Sequence, residues 1–378
     1  MKVLLVDQFG KTTGRDTLAL AERLNVAKDI DMTVYLSEAT EIPCNKYYSS
    51  NIAKGFHGVY KGNFLNKVIN YLKGLKQLKQ YICDNNIDIV HLQWFSLPWI
   101  EWIYISQIKK IAKVVITVHD IIPFDNRPFE MESLNKIYDR ADYLFIHTPT
   151  AYKLFHENYA TKTPVKIITQ GFCCKADYKR ISNAEAKHHF GIPENSVVFL
   201  YYGTIRPSKG LDTLIKAVGN ARLENKMIVL LAAGAPHRIN EGTYKLLVDE
   251  NLKSQAQFIK FGFVPQEEEQ WYFSAADVLC LPYRELTQSG VAQLGLMYEL
   301  PIIASDVGEI KEAVREGYNG CLCKVDDSDS LKNAIIRLAG SKEMRAEYSA
   351  NSAYLGENEF SIDKKALCIE TVYRGLFI

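Results

Sequence analysis

No apolar run in this chain approaches the ~20 residues that a membrane-spanning helix needs, so any contact with a bilayer is expected to be peripheral. Net charge is +1, from 45 Lys and Arg against 44 Asp and Glu. The basic excess of a dedicated nucleic-acid binder is therefore missing, and no nucleic-acid partner is expected. Eight cysteines are scattered through 378 residues. Neither Cys173-Cys174 nor Cys321-Leu-Cys323 has a second ligand pair at zinc-like spacing, so buried thiols in a reducing compartment are expected rather than metal or disulfides. Internal repeats and low-complexity tracts are lacking too. Met1-Lys-Val-Leu-Leu-Val enters a strand directly, without the pattern of a secretory leader, and a cytoplasmic location is expected.

What remains is ordinary for a globular protein, 47% hydrophobic and 24% charged, and long enough for two domains. Short β-branched runs (Val3–Asp7, Met32–Leu36, Ile87–Trp94, Val114–His119, Tyr143–His147, Val165–Ile168) alternate with helical patterns at Thr17–Lys28, Phe64–Cys83, Trp99–Ala112 and Thr150–Tyr159. Gly171–Ser196 breaks the pattern and reads as a linker with one short helix near Asn183–Phe190. From Val197 the alternation restarts. It carries strands at Val197–Tyr202, Ile228–Ala232, Phe258–Phe261, Val278–Pro282, Ile302–Ser305 and Leu322–Val325, with a helix over Tyr244–Ser254 among those between. This specifies an α/β protein with two doubly wound, Rossmann-like parallel-sheet domains facing a cleft. The expected boundaries are 1–175, 176–360 and a final helix, 361–378, returning to the first domain.

Two stretches of the second domain carry chemistry. Asp277–Val307 reads strand, loop, helix, strand, and puts Gln288, Ser289 and Gly290 at a helix N-terminus, where free N–H groups and the helix dipole suit an anion. Glu285 lies on the same loop, placed to grip hydroxyl groups attached to a bound phosphate. Read alone, this is equally a solvated strand–helix joint. The second stretch, Tyr202-Gly203-Thr-Ile-Arg206-Pro-Ser-Lys209-Gly210, runs from a buried strand into a loop with two cations suited to phosphate oxygens.

In order, Gly-Thr-Ile-Arg-Pro-Ser-Lys-Gly, Phe261-Gly-Phe-Val-Pro265, Ala275-Ala-Asp-Val-Leu-Cys-Leu-Pro-Tyr283, Glu285 with Gln288-Ser-Gly-Val, and Pro301-Ile-Ile-Ala-Ser-Asp-Val-Gly308 resemble the family 4 glycosyltransferases. These are retaining enzymes of the two-domain GT-B fold, and the likeness covers the second domain. It implies a nucleoside-diphosphate sugar as co-substrate, with no cofactor and no metal. It further implies that Arg206 and Lys209 hold the donor diphosphate and that Glu285 contacts the donor sugar. Phe263-Val264 resembles the segment that reads the base, and Gly203 and Gly234 fall in the nucleotide pocket. The family's second acidic residue, which usually binds ribose, is absent; Gln293 stands at its place, polar but uncharged.

In the first domain, Phe9-Gly10-Lys-Thr-Thr-Gly14-Arg15 resembles the family's glycine-rich first loop, which lies against donor phosphates and acceptor. It is neither a Walker loop nor a dinucleotide fingerprint. His119 ends a strand, where the resemblance implies contact with the transferred sugar or the acceptor. His91 and His147 also end strands and read as structural. The helix Phe64–Cys83 sets Lys67, Lys73, Lys76 and Lys79 opposite Leu65, Val68, Ile69, Leu72, Leu75, Leu78 and Ile82. That is a solvated face or a basic surface for anionic lipid. The expectation is a metal-independent retaining transferase, moving a sugar from a UDP or GDP donor to a glycan or lipid-linked acceptor in surface-glycan synthesis. A non-catalytic partner subunit, or an epimerase or hydrolase on the same fold, are the alternatives.

Overall fold

The computed structural model describes residues 1–9, 14–27, 29–40, 42, 49–123, 127–169, 171, 181–237, 245, 257–286 and 289–378. Gly10, Gln288, Cys173, Cys174 and all but Lys245 of the helix expected over Tyr244–Ser254 lie outside the described residues. The chain forms two compact units, Met1–Cys173 with Ser361–Ile378, and Cys174–Phe360.

The first unit runs β1 (Lys2–Asp7), α1 (Gly14–Leu24), β2 (Asp31–Ser37), β3 (Asn51–Gly55), α2 (Phe64–Asp84), β4 (Ile89–Leu92), α3 (Pro98–Ile108), β5 (Lys113–Val118), α4 (Glu130–Tyr138), β6 (Tyr143–Ile146), α5 (Pro149–Asn158) and β7 (Val165–Ile167). Its seven strands are parallel, in the order β3-β2-β1-β4-β5-β6-β7. Val3, Leu4, Leu5 and Val6 are fully buried, because helices cover both faces of such a sheet. Two of these elements are not among those expected. The edge strand β3 reads Asn-Ile-Ala-Lys-Gly and is only partly buried, so it has no apolar run to announce it. Helix α4 starts after Phe129, which sits at φ +60° and offers no side-chain cap.

The second unit runs α6 (Asn183–His189), β8 (Val197–Tyr202), α7 (Leu211–Glu224), β9 (Ile228–Gly234), β10 (Gln257–Phe261), α8 (Gln266–Ala275), β11 (Val278–Leu281), α9 (Gly290–Met297), β12 (Ile302–Ser305), α10 (Ile310–Ala313), β13 (Gly320–Cys323), α11 (Ser328–Gly340) and α12 (Lys342–Asn358). Its six parallel strands are ordered β10-β9-β8-β11-β12-β13. The last helix, α13 (Ile362–Gly375), belongs to the first unit. There Arg23 pairs with Asp363 at 3.2 Å and Arg374 with Asp29 at 2.8 Å.

Each sheet reverses its winding once, between β1 and β4 and between β8 and β11. In open α/β sheets such a reversal opens a crevice at the carboxyl ends of the two strands, the usual place for a ligand.

Candidate functional site

At the second unit's reversal, β8 is followed by Gly203, at φ +112°. A Cβ on Gly234, the end of the neighbouring strand, would lie 1.8 Å from the Gly203 carbonyl oxygen, so only glycine fits there. Next comes a 3₁₀ turn, Pro207–Lys209, closed by Gly210 at φ +64°. This turn lies on the end of β11: a Cβ on Gly210 would stand 1.9 Å from the Pro282 carbonyl oxygen. The Lys209 ammonium sits 3.5 Å from the centroid of the Tyr283 ring, a cation–π contact. Burial first, and the neighbouring Arg206 second, push the Lys209 pKa down to about 8.

Tyr283 is buried, and burial pushes its hydroxyl up to about 12 against a hydrogen bond with the Ser289 side chain. Ser289 is the N-cap of α9, its Oγ accepting from Ala292 N at 3.2 Å. Tyr283 therefore links the Arg206–Lys209 loop to the start of α9, with the exposed Gly290 next in line. Among the described residues no carboxylate pairs with Arg206 or Lys209, and the Arg206 Nε is buried without a hydrogen-bond partner. Two adjacent cations at a helix N-terminus make an anion site.

The other expected residues divide. Glu285 is exposed on the β11–α9 loop. Phe263 is 80% exposed beyond the end of β10, and Val264 packs against the core of this unit. Gln293 is buried within α9, at 2% exposure, and does not offer its amide to solvent. Gly14 opens α1 in the first unit, packed so closely that an added Cβ would meet the Thr40 methyl at 2.5 Å.

His119 sits among side chains rather than facing open space. Its Nε2 lies 3.0 Å from Gln93 Oε1 and its Nδ1 3.2 Å from His147 Nε2. Trp94 stacks on its ring at 4.1 Å and 12°. Both ring nitrogens thus have a side-chain partner in this structure. Burial, then His147 and Lys365, holds His119 neutral, well below its ordinary pKa. Beside it, Gln93 Nε2 is buried without a hydrogen-bond partner among the described residues. Gln93 was not singled out in the sequence; its only signal is its place just past β4, at the first sheet's reversal. His91 is structural, bridging Tyr373 Oη at 2.6 Å and Thr117 Oγ1 at 2.7 Å.

Asp-x-Asp spacings do occur, at Asp29/Asp31 and Asp327/Asp329. Asp29 is paired with Arg374, and Asp327 caps α11 by accepting from Asp329 N and Ser330 N. Among the described residues no cluster of three His, Cys, Asp or Glu could hold a metal.

A family model for glycosyl transferases group 1 matches residues 182–354, and one for glycosyl transferase 4-like proteins matches residues 27–156. Over 231 residues the chain is 28% identical to lipopolysaccharide 1,2-N-acetylglucosaminetransferase of Salmonella typhimurium, an alignment that spans 60% of this chain and 60% of that relative. Among solved structures, sucrose-phosphate synthase from Thermosynechococcus elongatus has a TM-score of 0.80 at 18% identity, over 100% of this chain and 99% of that one. Anabaena HepE in complex with UDP and glucose has a TM-score of 0.77 at 15% identity, over 99% and 100%. At these identities the likeness speaks for the fold. Fold and family models agree, one model falling on each unit: the chain belongs to the group 1, 4-like family of GT-B glycosyltransferases.

Proposed function

We propose that this protein transfers a sugar, with retention of anomeric configuration and without a metal, from a nucleoside diphosphate to a hydroxyl of a glycan or lipid-linked acceptor. One observation carries the reading: Arg206 and Lys209 stand together at a helix start with no carboxylate partner among the described residues. Breaking the glycosidic bond leaves negative charge on the departing diphosphate. Fixed donors already aimed at that charge stabilise it as it develops. Glu285, on the adjoining loop, would orient the sugar hydroxyls. In this scheme the leaving phosphate oxygen takes the acceptor's proton on the face it vacates. UDP is the first candidate nucleotide, since HepE shares the fold and was solved with it. Thermal unfolding with UDP, GDP or ADP, without divalent metal, tests the site. At 100 times its dissociation constant a ligand adds about 2.7 kcal/mol of stability. No shift with any nucleotide, in folded protein, would favour a non-catalytic subunit.

Helix α2 supports a lipid-linked acceptor. Only Tyr71, Gly74, Leu75, Leu78 and Ile82 are buried; Phe64, which opens the helix, is 80% exposed, and Leu65 and Ile69, expected on the apolar face, are 64% and 41% exposed. No Asp or Glu occurs from residue 55 to residue 83, while Lys61, Lys67, Lys73, Lys76 and Lys79 do. Lys61 pairs with Glu38 at 3.3 Å; exposed apolar side chains beside the other four lysines fit an anionic bilayer surface, and each lysine near it is worth about 1 kcal/mol. Co-sedimentation with vesicles containing phosphatidylglycerol is expected to fall at least tenfold for Phe64→Ser with Leu65→Ser. Equal binding by that variant would remove α2 from the membrane face.

A further inference from the structure

Arg284 stands one residue from Glu285 and two loops away from any obvious duty, yet it holds an unusual number of partners. Its Nη1 and Nη2 fork onto Asp212 Oδ1 and Oδ2 at 3.0 and 2.8 Å, at the start of α7. Nη2 also reaches Thr213 Oγ1 at 3.0 Å and Asp326 Oδ1 at 2.7 Å, just past β13. Nη1 donates to the Pro207 carbonyl oxygen at 2.6 Å, and the Arg284 backbone N–H donates to that of Ser208 at 2.8 Å. Thr213 Oγ1 closes the set by donating to Asp326 Oδ1 at 2.6 Å.

These contacts continue a ladder already described. Gly210 abuts Pro282, Lys209 sits over Tyr283, and Ser208 with Pro207 is held by Arg284. Two loops from opposite sides of the sheet reversal are thus zipped residue by residue. One carries Arg206 and Lys209, and the other carries Glu285.

Charge separates Arg284 from its neighbours. Arg206 and Lys209 have no carboxylate partner among the described residues, whereas Arg284 is matched by two, Asp212 and Asp326. Its charge is spent inside the protein, and those carboxylates, Asp212 first, hold its pKa above the usual guanidinium range. A cation so compensated adds little to anion binding. Its planar fork, satisfied on both edges, fixes geometry instead. Asp326 sits at φ +56°, a backbone conformation that aspartate tolerates better than most residues.

We infer that Arg284 is a positioning residue: it locks the phosphate-binding turn, Arg206–Gly210, in register with the sugar-facing loop that carries Glu285. The inference rests on the donor-site reading above. Lysine at 284 keeps the charge and loses the fork, so Arg284→Lys separates geometry from electrostatics.

The experiment measures Kd for UDP, or for whichever nucleotide shifts the wild type. It then measures KM and kcat with the matching nucleotide sugar, for wild type, Arg284→Lys, Asp326→Asn and Lys332→Ala. Lys332 pairs with Glu224 at 2.5 Å in the same unit and serves as the control for a lost ion pair. Displacing a binding group by about 1 Å can cost about 100-fold. Arg284→Lys is therefore expected to remain folded, to weaken nucleotide binding at least tenfold and to lower kcat as well as raise KM. Asp326→Asn is expected to move the same way by a smaller factor, and Lys332→Ala not at all. Wild-type nucleotide affinity in both Arg284→Lys and Asp326→Asn overturns the inference while leaving the donor site standing. Failure of the wild type to bind any nucleotide overturns the donor site itself. Should Arg284→Lys fail to fold, Asp326→Asn decides alone, because Asp326 is half exposed and lies outside the core.

Discussion

The two sheet reversals use opposite chemistry at the same topological position. In the second unit the reversal carries glycines and a turn with two uncompensated cations; in the first, Gln93 and Trp94 follow β4 and pack with His119 and His147 from the ends of β5 and β6 as a neutral group, while the Asp7 carboxylate that ends β1 is held by Thr17. The cationic end suits a diphosphate. The neutral end, with the buried Gln93 Nε2 lacking a partner among the described residues, suits hydroxyl groups. Polar side chains left unpaired in a buried place cost stability, about 1–3 kcal/mol each, and are kept where a ligand completes them. One fold repeated twice can therefore divide charge recognition from hydroxyl recognition.

The largest effect that could break this contrast is loss of the cations. Arg206→Ala or Lys209→Ala is expected to lower kcat by about 100- to 1,000-fold, as for removal of one group that stabilises transition-state charge. The melting temperature without ligand should stay close to wild type. Near-normal turnover in both variants would end the assignment.

A second effect, smaller, sharpens it. The Lys209 pKa of about 8 means that the free protein loses this charge as pH rises past 8. An anion binds the protonated form and must then recover the proton. The nucleotide Kd is therefore expected to be flat below pH 7 and to climb towards tenfold per unit above 8. A profile flat to pH 9.5 would mean that Lys209 keeps an ordinary lysine pKa, about 10.4.

The smallest effect belongs to the first unit. Burial pushes His91 down to about 3, against about 6.5 in an unfolded chain. Its folded pKa is depressed, so below pH 6.5 the unfolded chain takes a proton that the fold refuses. Stability is then lost as pH falls from 6.5 towards 3. Between pH 7 and 5 this group alone costs about 2 kcal/mol. Buried Glu101 and Asp120, raised to about 7 and about 6, act in the opposite direction over the same range, so the test is a difference. Denaturant unfolding should show wild type losing about 2 kcal/mol more than His91→Asn between those pH values. Parallel losses would mean that His91 is not held neutral.

The same contrast explains what could be read from the sequence. Strands buried on both faces announce themselves as apolar runs, so both sheets were legible; β3, with Asn, Lys and Gly on an edge, was not. The Arg206–Lys209 turn stood out because Gly203, Arg206, Lys209 and Gly210 fall within eight residues. The partners of Arg284 lie 72 and 42 residues away at Asp212 and Asp326, and His119 meets Gln93 and His147 across 26 and 28. Contacts of that reach leave no periodicity for a single sequence to display. Reading His119 by its position at a strand end could therefore not show that both its nitrogens have side-chain partners.

The bond between His91 and Tyr373 joins residues 282 positions apart, with the whole second unit between them. A ribosome adding about 5–20 residues per second emits the histidine roughly 15–60 s before the tyrosine. During that interval the second unit can close, while the first waits with a strand's inward-facing imidazole unbonded on one side and the groove for α13 open. Nascent chains are therefore most exposed to proteases and chaperones through the half that is made first.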